Sequence, residues 1–364
     1  MYIESLELKN FRNYETLALE FHHGTNVFYG NNAQGKTNIL ESMNLCGTSR
    51  SHRGSKDGEM IRFGNDEAHI RMFIQKDGIR RKIDMHLRKS KTKGVAIDGL
   101  PIRRAAELLG LAQIVFFSPE DLNIVKNGPR ERRRFLDAIT SQVDPYYLRQ
   151  LGAYNKILAQ RNKLLKDLYL NASLRDTLEI WDEQLVNYGT QIIAAREKLL
   201  SKLNRIIREI HLNLTGGLEE IEIIYEQNVG QDDFRRRMQE AREKDERMKS
   251  SSVGPHRDDF RIMVNGIDIR HFGSQGQQRS AALSLKLSEI TLMKETTHDM
   301  PVLMLDDVLS ELDENRQNYL LKSIGDIQTF ITCTGMEDLL GKKFPVDQVF
   351  HVKDGSVTSE QNGS

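Results

Sequence analysis

One segment of the chain has the residue types and the spacing of a phosphate-binding loop. It matches the pattern G-x-x-x-x-G-K-[ST] with the residues Gly30, Asn31, Asn32, Ala33, Gln34, Gly35, Lys36 and Thr37. The glycines let several backbone N–H groups converge on phosphate oxygens, Lys36 reaches the outer phosphates, and the Thr37 hydroxyl is a magnesium ligand. The pattern predicts binding of a nucleoside triphosphate with Mg²⁺, and Lys36 is a candidate catalytic residue.

The segments on either side of this loop fit the same interpretation. Val27-Phe28-Tyr29 predicts a short apolar strand before the loop, and residues 36–46 have helical spacing after it. The N-terminus of that helix adds positive dipole to a phosphate site. A glycine-rich turn with an exposed lysine is the alternative, and it explains neither the strand nor the helix. We expect ATP as the nucleotide, because Asn155-Lys156 is not followed by the aspartate that reads guanine.

Two carboxylates follow an apolar run near the other end of the chain. Val302-Leu303-Met304-Leu305 is typical of a buried strand in a parallel sheet, and Asp306 and Asp307 come directly after it. Ligands bind at the carboxyl ends of such strands. We predict that Asp306 holds magnesium together with Thr37, and that Asp307 is catalytic and polarises the attacking water. Without the phosphate-binding loop, the same pattern would indicate a strand end with solvated acids.

The turn Ser274-Gln275-Gly276-Gln277 precedes a segment with helical character. A serine and a glycine at the start of a helix can hold an anion through backbone N–H groups. One bound ATP needs one such loop, so we predict that this turn contacts the γ-phosphate held by a second copy of the chain. The resulting assembly is a head-to-head homodimer. The alternative is an ordinary serine N-cap.

Composition limits the class of protein. A length of 364 residues favours two domains or lobes. Lys+Arg and Asp+Glu both number 52, so any affinity for nucleic acid must come from local patches. The two cysteines, Cys46 and Cys333, form no C-x-x-C pair, which argues for a reducing compartment and against structural zinc. Residues 1–11 lack a signal-peptide pattern and no apolar run could span a bilayer, so we predict a cytoplasmic protein.

The hydrophobic pattern changes twice along the chain. Strand-like alternation over residues 6–21 and 79–102 gives way to helical spacing after residue 118, and compact structure resumes at Gly254-Pro255. The dipeptides Asp98-Gly99 and Asn265-Gly266 predict tight hairpin turns. Residues 232–249 are dense in alternating charge and predict a solvated helix or a mobile loop. Residues 151–168 and 199–210 predict two helices of about 20 to 25 residues, which suit a short antiparallel arm. We predict a discontinuous nucleotide-binding head over residues 1–118 and 250–364, with an inserted, mainly helical lobe over residues 119–249.

Taken together, these motifs resemble the RecF family of DNA-repair ATPases, which is related to SMC and ABC-type ATPase heads. The resemblance covers nearly the whole chain, and the order of its motifs is the same. Besides the loop and the Ser274 turn, it rests on residues 8–14, 117–122, 132–137, 254–259 and 305–313. It implies an α/β fold of the ABC/SMC-type ATPase head, with mixed β-sheets and helices, in addition to the helical lobe.

The resemblance also implies a function in recombinational repair. ATP would close the homodimer on DNA, and slow hydrolysis would reopen it. The protein would act in gap repair with the RecO and RecR proteins and would assist RecA loading. Replication and SOS functions are implied as well. Arg12 lies in the first matching segment and is added to the nucleotide-binding residues. Asp307 stands where transporters have glutamate, which predicts slow turnover, and the strand near Thr332 lacks the usual histidine that senses γ-phosphate.

Contacts with the DNA backbone would need basic patches and would not depend on base sequence. The candidate residues are Arg80, Arg81, Lys82, Lys89, Lys91 and Lys93 in one cluster, and Arg132 and Arg133 in another. The first cluster is equally typical of a strand edge kept charged against aggregation. The arginines of the second cluster are expected to divide their roles between helix packing, ion pairs and function. Two interpretations of His256 and Arg257 stay open: a role at the dimer interface or in nucleotide sensing, or a buried structural pair.

Two other classes of protein are alternatives. A nucleotide-binding subunit of an ABC-type transporter is disfavoured by the Gln-Gly-Gln turn, by Asp307 and by the basic patches. A nuclease with an ATPase head would need a second acidic cluster, which the sequence does not offer outside residues 305–313.

Overall fold

The computed structural model describes residues 1–103, 107–168, 172–335 and 345–360. The chain divides into two compact units. Unit 1 comprises Met1–Asp121 and Glu289–Ser364, and unit 2 comprises Leu122–Ser288. Unit 1 is therefore assembled from the two ends of the chain.

The described residues form strands and helices of ordinary length. The strands are β1 (Tyr2–Phe11), β2 (Tyr14–Glu20), β3 (Thr25–Tyr29), β4 (Glu67–Lys76), β5 (Ile79–Arg88), β6 (Gly94–Ile97), β7 (Leu100–Pro101), β8 (Ile114–Phe117), β9 (Ile221–Glu226), β10 (Asp259–Val264), β11 (Ile267–Asp268), β12 (Val302–Asp306), β13 (Thr329–Cys333), β14 (Gln348–Lys353) and β15 (Ser356–Glu360). The helices are α1 (Lys36–Thr48), α2 (Leu122–Lys126), α3 (Pro129–Val143), α4 (Pro145–Asp167), α5 (Leu178–Leu214), α6 (Phe234–Glu240), α7 (Arg242–Met248), α8 (Ile269–Phe272), α9 (Gln275–Thr297) and α10 (Glu314–Ile324). None of the helices among these residues is long and apolar enough to cross a membrane.

The first sheet of unit 1 is antiparallel and has the strand order β2-β1-β4-β5-β6-β7. Its strands alternate between the core and solvent, as Ile70 and Met72 are fully buried while Arg71, between them, is exposed. The hairpin predicted at Asp98-Gly99 is confirmed. Both residues have positive φ, 53° and 83°, as a tight two-residue turn requires.

The second sheet of unit 1 has the order β15-β14-β3-β13-β12-β8, and only β15 runs antiparallel to its neighbour. β12 is buried along its whole length, as its apolar sequence predicted. β13 lies between β3 and β12, and the register pairs Thr332 with Phe28 on one side and with Asp306 on the other. This order brings the loop after β3 and the acids after β12 to the same edge of the sheet.

Unit 2 contains the predicted antiparallel helical arm. Helices α4 and α5 are antiparallel. Tyr147, near the start of α4, bonds to Arg196 in the middle of α5, whereas Arg161, near the end of α4, bonds to Asp182 near the start of α5. The 37 residues of α5 would extend about 55 Å, so this helix is longer than the sequence analysis predicted. Residues 234–248, expected as a solvated helix or mobile loop, form α6 and α7 with Phe234 and Met238 buried.

Unit 2 also contains the three-stranded antiparallel sheet β11-β10-β9. The predicted hairpin around Asn265-Gly266 joins β10 to β11, and both turn residues have positive φ. β10 pairs with β9 along its length and contacts α3. These contacts place residues 250–288 in unit 2, whereas the sequence analysis had grouped them with the head.

Candidate nucleotide-binding site

The loop between β3 and α1 has the backbone that its glycines predicted. Gly30 has φ 148° and Gly35, the N-cap of α1, has φ 118°. A Cβ atom on Gly30 would lie 2.2 Å from the carbonyl oxygen of Val352, and one on Gly35 would lie 2.5 Å from the Asn13 amide nitrogen. Any other residue at either position would collide with the structure around the loop.

Lys36 is the first residue of α1 and is only 3 % exposed. Its Nζ atom donates hydrogen bonds to the carbonyl oxygens of Gly30, at 2.6 Å, and Asn31, at 3.0 Å. The ammonium group is therefore held above the loop by neutral acceptors. Phosphate oxygens are stronger, charged acceptors, and they can replace these carbonyls as its partners.

Two turns that are distant in sequence hold the loop in place. The Asn13 side chain, from the β1–β2 turn, donates to the Gln34 carbonyl oxygen at 2.9 Å and accepts from the Asn38 amide at 2.8 Å. The backbone N–H of Asp354, from the β14–β15 turn, donates to the Gln34 side-chain oxygen at 2.5 Å. Asp354 could not be found from the sequence, because nothing local to it indicates a partner 320 residues away.

A chain of hydrogen bonds joins the predicted magnesium ligands to the predicted catalytic acid. The Thr37 hydroxyl donates to Asp306 Oδ1 at 2.8 Å, and the Thr332 hydroxyl donates to the same oxygen at 2.8 Å. The Asp307 backbone N–H in turn donates to Thr332 Oγ1 at 2.9 Å. The structure thus brings Thr37, Asp306 and Asp307 together as the sequence analysis predicted, and it adds Thr332 as the residue that connects both acids.

The electrostatics of Asp306 suit a divalent cation. Burial raises the pKa of this carboxyl above its ordinary value, and the hydrogen bonds from Thr37 and Thr332 offset only part of that effect. A buried carboxylate beside a hydroxyl offers the hard oxygen ligands that Mg²⁺ prefers. No group of three or more His, Cys, Asp or Glu side chains that could hold a metal ion occurs in the described ranges. Mg²⁺ here would therefore take its other ligands from phosphate and water.

Arg12 lies beside the loop but is engaged with the protein. Its guanidinium donates to both carboxylate oxygens of the buried Glu41, at 2.8 and 2.9 Å, and to the carbonyl oxygen of Glu59. Burial alone would raise the pKa of Glu41, but hydrogen bonds from Arg12 and Ser51 outweigh it and lower the pKa below its ordinary value. Arg12 therefore fastens α1 to the 55–59 segment, and its contact with nucleotide stays a prediction.

The Ser274 turn, in unit 2, forms a capping box at the start of α9. Ser274 Oγ accepts from the Gln277 backbone N–H at 3.1 Å, and the Gln277 side-chain oxygen accepts from the Ser274 N–H at 3.0 Å. The serine is thus an N-cap, and both Ser274 and Gln275 are exposed. Contact between this turn and the nucleotide of a second copy stays a prediction.

Most of the first basic cluster is paired with acids on the surface of unit 1. The pairs are Arg80–Glu4, Arg81–Asp98, Lys82–Asp84, Lys89–Asp66 and Lys93–Asp57, with N···O distances of 2.8 to 3.3 Å. Lys91 is exposed, and the structure gives it no ion pair among the described residues. Exposed pairs are worth at most about 1 kcal/mol, so a phosphate group can exchange with the carboxylate.

Both members of the second basic cluster bond to partners within unit 2. Arg132 is 3 % exposed and forms two hydrogen bonds to the carboxylate of Asp259, at 2.6 and 2.9 Å. Arg133 donates to the carbonyl oxygen of Asp258. Burial leaves Arg132 no surface for a DNA phosphate, which corrects its prediction as a DNA contact and favours its packing role.

His256 occupies a largely buried site within unit 2. Its Nδ1 lies 2.7 Å from the Tyr154 hydroxyl and its Nε2 lies 3.1 Å from the carbonyl oxygen of Ser251, to which Arg257 also donates. Because a carbonyl can only accept, Nε2 carries the proton and Nδ1 accepts from the tyrosine. Burial lowers the pKa of His256 to about 4. His256 therefore has a structural role within unit 2, whereas Arg257 is exposed, and an interface or sensing role for Arg257 stays a prediction.

Known proteins share this sequence and architecture. The model of the RecF/RecN/SMC N-terminal domain matches residues 2–358. The protein named DNA replication and repair protein RecF from Lachnospira eligens is 56 % identical over 99 % of this chain and 100 % of its own length. The protein of the same name from Clostridium perfringens is 44 % identical, with 98 % and 99 % covered.

Solved structures agree with these relatives. A structure of the recombination mediator protein RecF-ATP in the RecFOR pathway has a TM-score of 0.92 at 39 % identity, and covers 99 % of this chain and 97 % of the other. An Smc head domain from Pyrococcus furiosus has a TM-score of 0.58 at 17 % identity, with 99 % and 96 % covered, and supports the fold alone.

The fold and the loop with its neighbouring acids define an ATPase head of the ABC/SMC type, which confirms the predicted fold class. The sequence identity to RecF proteins over the whole chain identifies its family within this class. The chain belongs to the RecF family of recombination-mediator ATPases, as its motifs had indicated.

Proposed function

We propose that this chain binds ATP with Mg²⁺ in unit 1, hydrolyses it slowly, and uses ATP to close a homodimer on DNA during recombinational repair. The observation that carries the nucleotide site is the hydrogen-bond chain from Thr37 through Asp306 and Thr332 to Asp307, beside the 30–37 loop. The repair function is supported by the relatives, which are named as DNA replication and repair proteins.

Each residue of the site then has a separate role. Lys36 exchanges the carbonyls of Gly30 and Asn31 for the outer phosphates. Thr37 and Asp306 would hold magnesium, which would supply positive charge to the phosphate oxygens. Asp307 polarises the attacking water. Its carboxylate is one methylene shorter than the glutamate of transporters, and this shorter reach favours slow hydrolysis.

The proposed dimer uses the start of α9. The segment 274–277 is a largely exposed helix N-terminus, and an anion is stabilised at such a position by the helix dipole and the backbone N–H groups. The anion assigned to it is the γ-phosphate bound by unit 1 of the second copy. Closure then depends on ATP, because the diphosphate lacks the group that this turn contacts.

The proposed DNA contacts are electrostatic and independent of base sequence. Lys91 and the weakly paired Lys89, at the end of β5, are the most available members of the first basic cluster. We assign the protein to the cytoplasm. It would act at DNA gaps with the RecR and RecO proteins and would indirectly assist RecA. Replication and SOS functions are part of the same proposal. ATP hydrolysis would release the DNA.

Sedimentation velocity of the full chain tests the ATP-gated dimer. ATP with Mg²⁺ should shift the wild-type protein from monomer to dimer, while Lys36→Ala should bind no ATP and show no shift. Ser274→Arg should bind ATP as a monomer, because a bulky cation obstructs only the partner's nucleotide. Ser323→Arg, at an exposed position of α10, is the matched control and should dimerise. An ATP-induced dimer of Ser274→Arg equal to wild type would refute the contact between copies.

No specific observation favours either of the two alternative functions. Membership of the RecF family separates the chain from transporter subunits. A nuclease site would need clustered metal ligands, and the described ranges provide none.

A further inference from the structure

Hydrogen bonds from two separate turns of unit 1 end on one residue of the phosphate-binding loop, Gln34. The Asn13 side-chain amide donates to the Gln34 carbonyl oxygen at 2.9 Å, and the Gly355 backbone N–H donates to the same oxygen at 3.4 Å. The Asp354 backbone N–H donates to the Gln34 side-chain oxygen at 2.5 Å. Both the carbonyl group and the side chain of this loop residue are therefore held from outside the loop.

The two turns are themselves anchored, and they touch each other. β14 pairs in parallel with β3 as far as Tyr29, the residue before the loop, so the turn after β14 lies at the edge of the sheet where the loop begins. On the β1–β2 turn, the Arg12 backbone N–H donates to the Met60 carbonyl oxygen at 2.8 Å. A Cβ atom on Gly355 would lie 2.9 Å from the Asn13 carbonyl oxygen. We call Asn13 and the Asp354-Gly355 turn the clasp.

The clasp fixes the direction of one peptide group in the loop. The peptide between Gln34 and Gly35 is planar and trans, so its carbonyl and its N–H point in opposite directions. Because the clasp holds the carbonyl, the Gly35 N–H points away from the clasp. Gly35 is buried, and the structure gives its N–H no hydrogen-bond partner among the described residues. A buried N–H of this kind is available to an anionic ligand.

The backbone of Gly35 does not by itself select this direction. Its φ is 118°, a conformation that glycine adopts without a steric penalty. Rotation of the peptide by half a turn would bring φ of Gly35 to about −60°, in the ordinary helical region. The carbonyl oxygen would then take the place of the N–H, and it would repel a phosphate oxygen. The contacts of Gln34 with the clasp favour the orientation that can bind an anion.

We infer that Asn13 and the Asp354-Gly355 turn are positioning residues for ATP: they hold the Gln34–Gly35 peptide so that the Gly35 N–H is presented to a phosphate oxygen. The inference rests on the proposed ATP binding in unit 1, and it adds residues that act on the ligand only through Gln34. The N–H recognises the polyphosphate chain whatever base it carries. The clasp therefore contributes to phosphate affinity and leaves the chemical step to Lys36 and Asp307.

The test measures binding and turnover separately on the full chain. Asn13→Ala removes the side-chain donor to Gln34, and Gly355→Ala places a Cβ atom against the Asn13 carbonyl oxygen and separates the two turns. Each variant should bind ATP and inorganic tripolyphosphate, titrated calorimetrically with Mg²⁺, about fivefold more weakly, as expected for a lost hydrogen bond. The value of kcat at saturating ATP should stay within about twofold of wild type, because only binding has changed.

Gly99→Ala is the matched control for Gly355→Ala. Gly99 follows Asp98 in another Asp-Gly hairpin turn, with φ 83° against 74° for Gly355, so alanine meets similar backbone strain at both positions. A Cβ atom on Gly99 has nothing within 4 Å. This variant should therefore bind both ligands as wild type does.

The outcomes separate the clasp from the proposed ATP site. If wild type binds neither ligand, ATP binding fails and the clasp fails with it. If wild type binds both and the Asn13 and Gly355 variants bind them equally well, the clasp alone is overturned. A loss of affinity for ATP without a loss for tripolyphosphate would make Asn13 a contact of the base or ribose. An equal loss in Gly99→Ala would show general hairpin strain, and a fall in kcat with unchanged affinity would indicate a role in the chemical step. Each of these three results would also overturn the inference.

Discussion

Thr332 and Asp306 lie side by side on paired parallel strands, and the hydroxyl of the first donates to the buried carboxylate of the second at 2.8 Å. The same hydroxyl accepts the backbone N–H of Asp307, so a single side chain on β13 fixes the positions of both acids. The strand that carries Thr332 also pairs with β3, which leads directly into the phosphate-binding loop.

Thr332→Val should separate magnesium use from nucleotide binding. Valine keeps the shape of the side chain and removes the hydroxyl, which leaves Asp306 with one donor fewer and the Asp307 N–H unpaired. A hydrogen bond to a charged group contributes about 1.5 to 3 kcal/mol, so we expect kcat to fall about tenfold or more and half-saturating Mg²⁺ to rise. ATP affinity without Mg²⁺ should not change, and Thr332→Ser should recover activity. A valine variant with wild-type magnesium dependence would remove Thr332 from the site.

Asp307→Asn should allow ATP binding and stop hydrolysis. Asp307 has φ 53°, a conformation that asparagine adopts readily, so the backbone should persist while the charge is lost. We expect an ATP-bound dimer that accumulates and does not dissociate, detected by sedimentation together with phosphate release. Unaltered phosphate release by this variant would exclude Asp307 from catalysis.

The combined substitution of Lys89→Gln and Lys91→Gln should weaken DNA binding. Each lost phosphate contact lowers the slope of log affinity against log salt concentration by about 1, so the slope should fall by up to about 2. Arg71→Gln is a suitable control, because Arg71 lies on the same sheet outside the basic cluster and bonds to Asp84 and Glu7. Fluorescence anisotropy over a range of salt concentrations measures the slope. Equal slopes for the double variant and wild type would place the DNA contacts elsewhere.

Arg132→Ala should destabilise unit 2 and leave the intrinsic DNA contacts intact. The substitution leaves the largely buried Asp259 carboxylate without its partner, and breaking such a pair costs about 3 to 5 kcal/mol. Arg130→Ala, on the exposed side of the same helix, should change the free energy of unfolding by less than about 0.5 kcal/mol. Urea unfolding of both variants measures the difference. A fully stable Arg132→Ala variant with weakened DNA binding would restore the surface role.

The stability of the fold should fall on acidification because of His256. Burial lowers the pKa of this imidazole from 6.5 to about 4, so the unfolded chain takes up a proton at a higher pH than the folded chain does. The stabilisation is complete above pH 6.5 and is lost as the pH falls towards 4. Between pH 7 and pH 5 the loss should be about 2 kcal/mol. His256→Asn should show a flatter dependence in urea unfolding, and an identical slope would contradict the assignment.

The phosphate-binding loop and the buried strand before Asp306 could be predicted because both depend on local spacing. Four apolar residues in a row, or two glycines at fixed spacing before Lys36 and Thr37, leave few alternative structures. β4 also has local alternation, at Ala68, Ile70, Met72 and Ile74, yet the sequence analysis did not identify it as a strand. The two hairpins at Asp98-Gly99 and Asn265-Gly266 were correct because their turn types require these residues.

The contacts that connect distant segments could not be predicted. The Asp354 turn meets Gln34, and Arg132 meets Asp259, only after strands and helices have packed. A run of arginines carries the same charge whether it faces solvent or a buried carboxylate, so residue type alone could not place Arg132 inside unit 2. Similarly, no local pattern indicates the bridge between Phe11 and Ile61.

Unit 1 is built from both ends of the chain, and this order matters while the protein is being made on the ribosome. The phosphate-binding loop is translated among the first 40 residues, but Asp306, Thr332 and the Asp354 turn emerge about 270 to 320 residues later. At about 5 to 20 residues per second, the loop waits roughly 14 seconds to one minute before these partners have been synthesised. A nascent or prematurely terminated chain therefore cannot bring Thr37 beside Asp306, so the proposed magnesium site and the proposed dimer are confined to finished molecules.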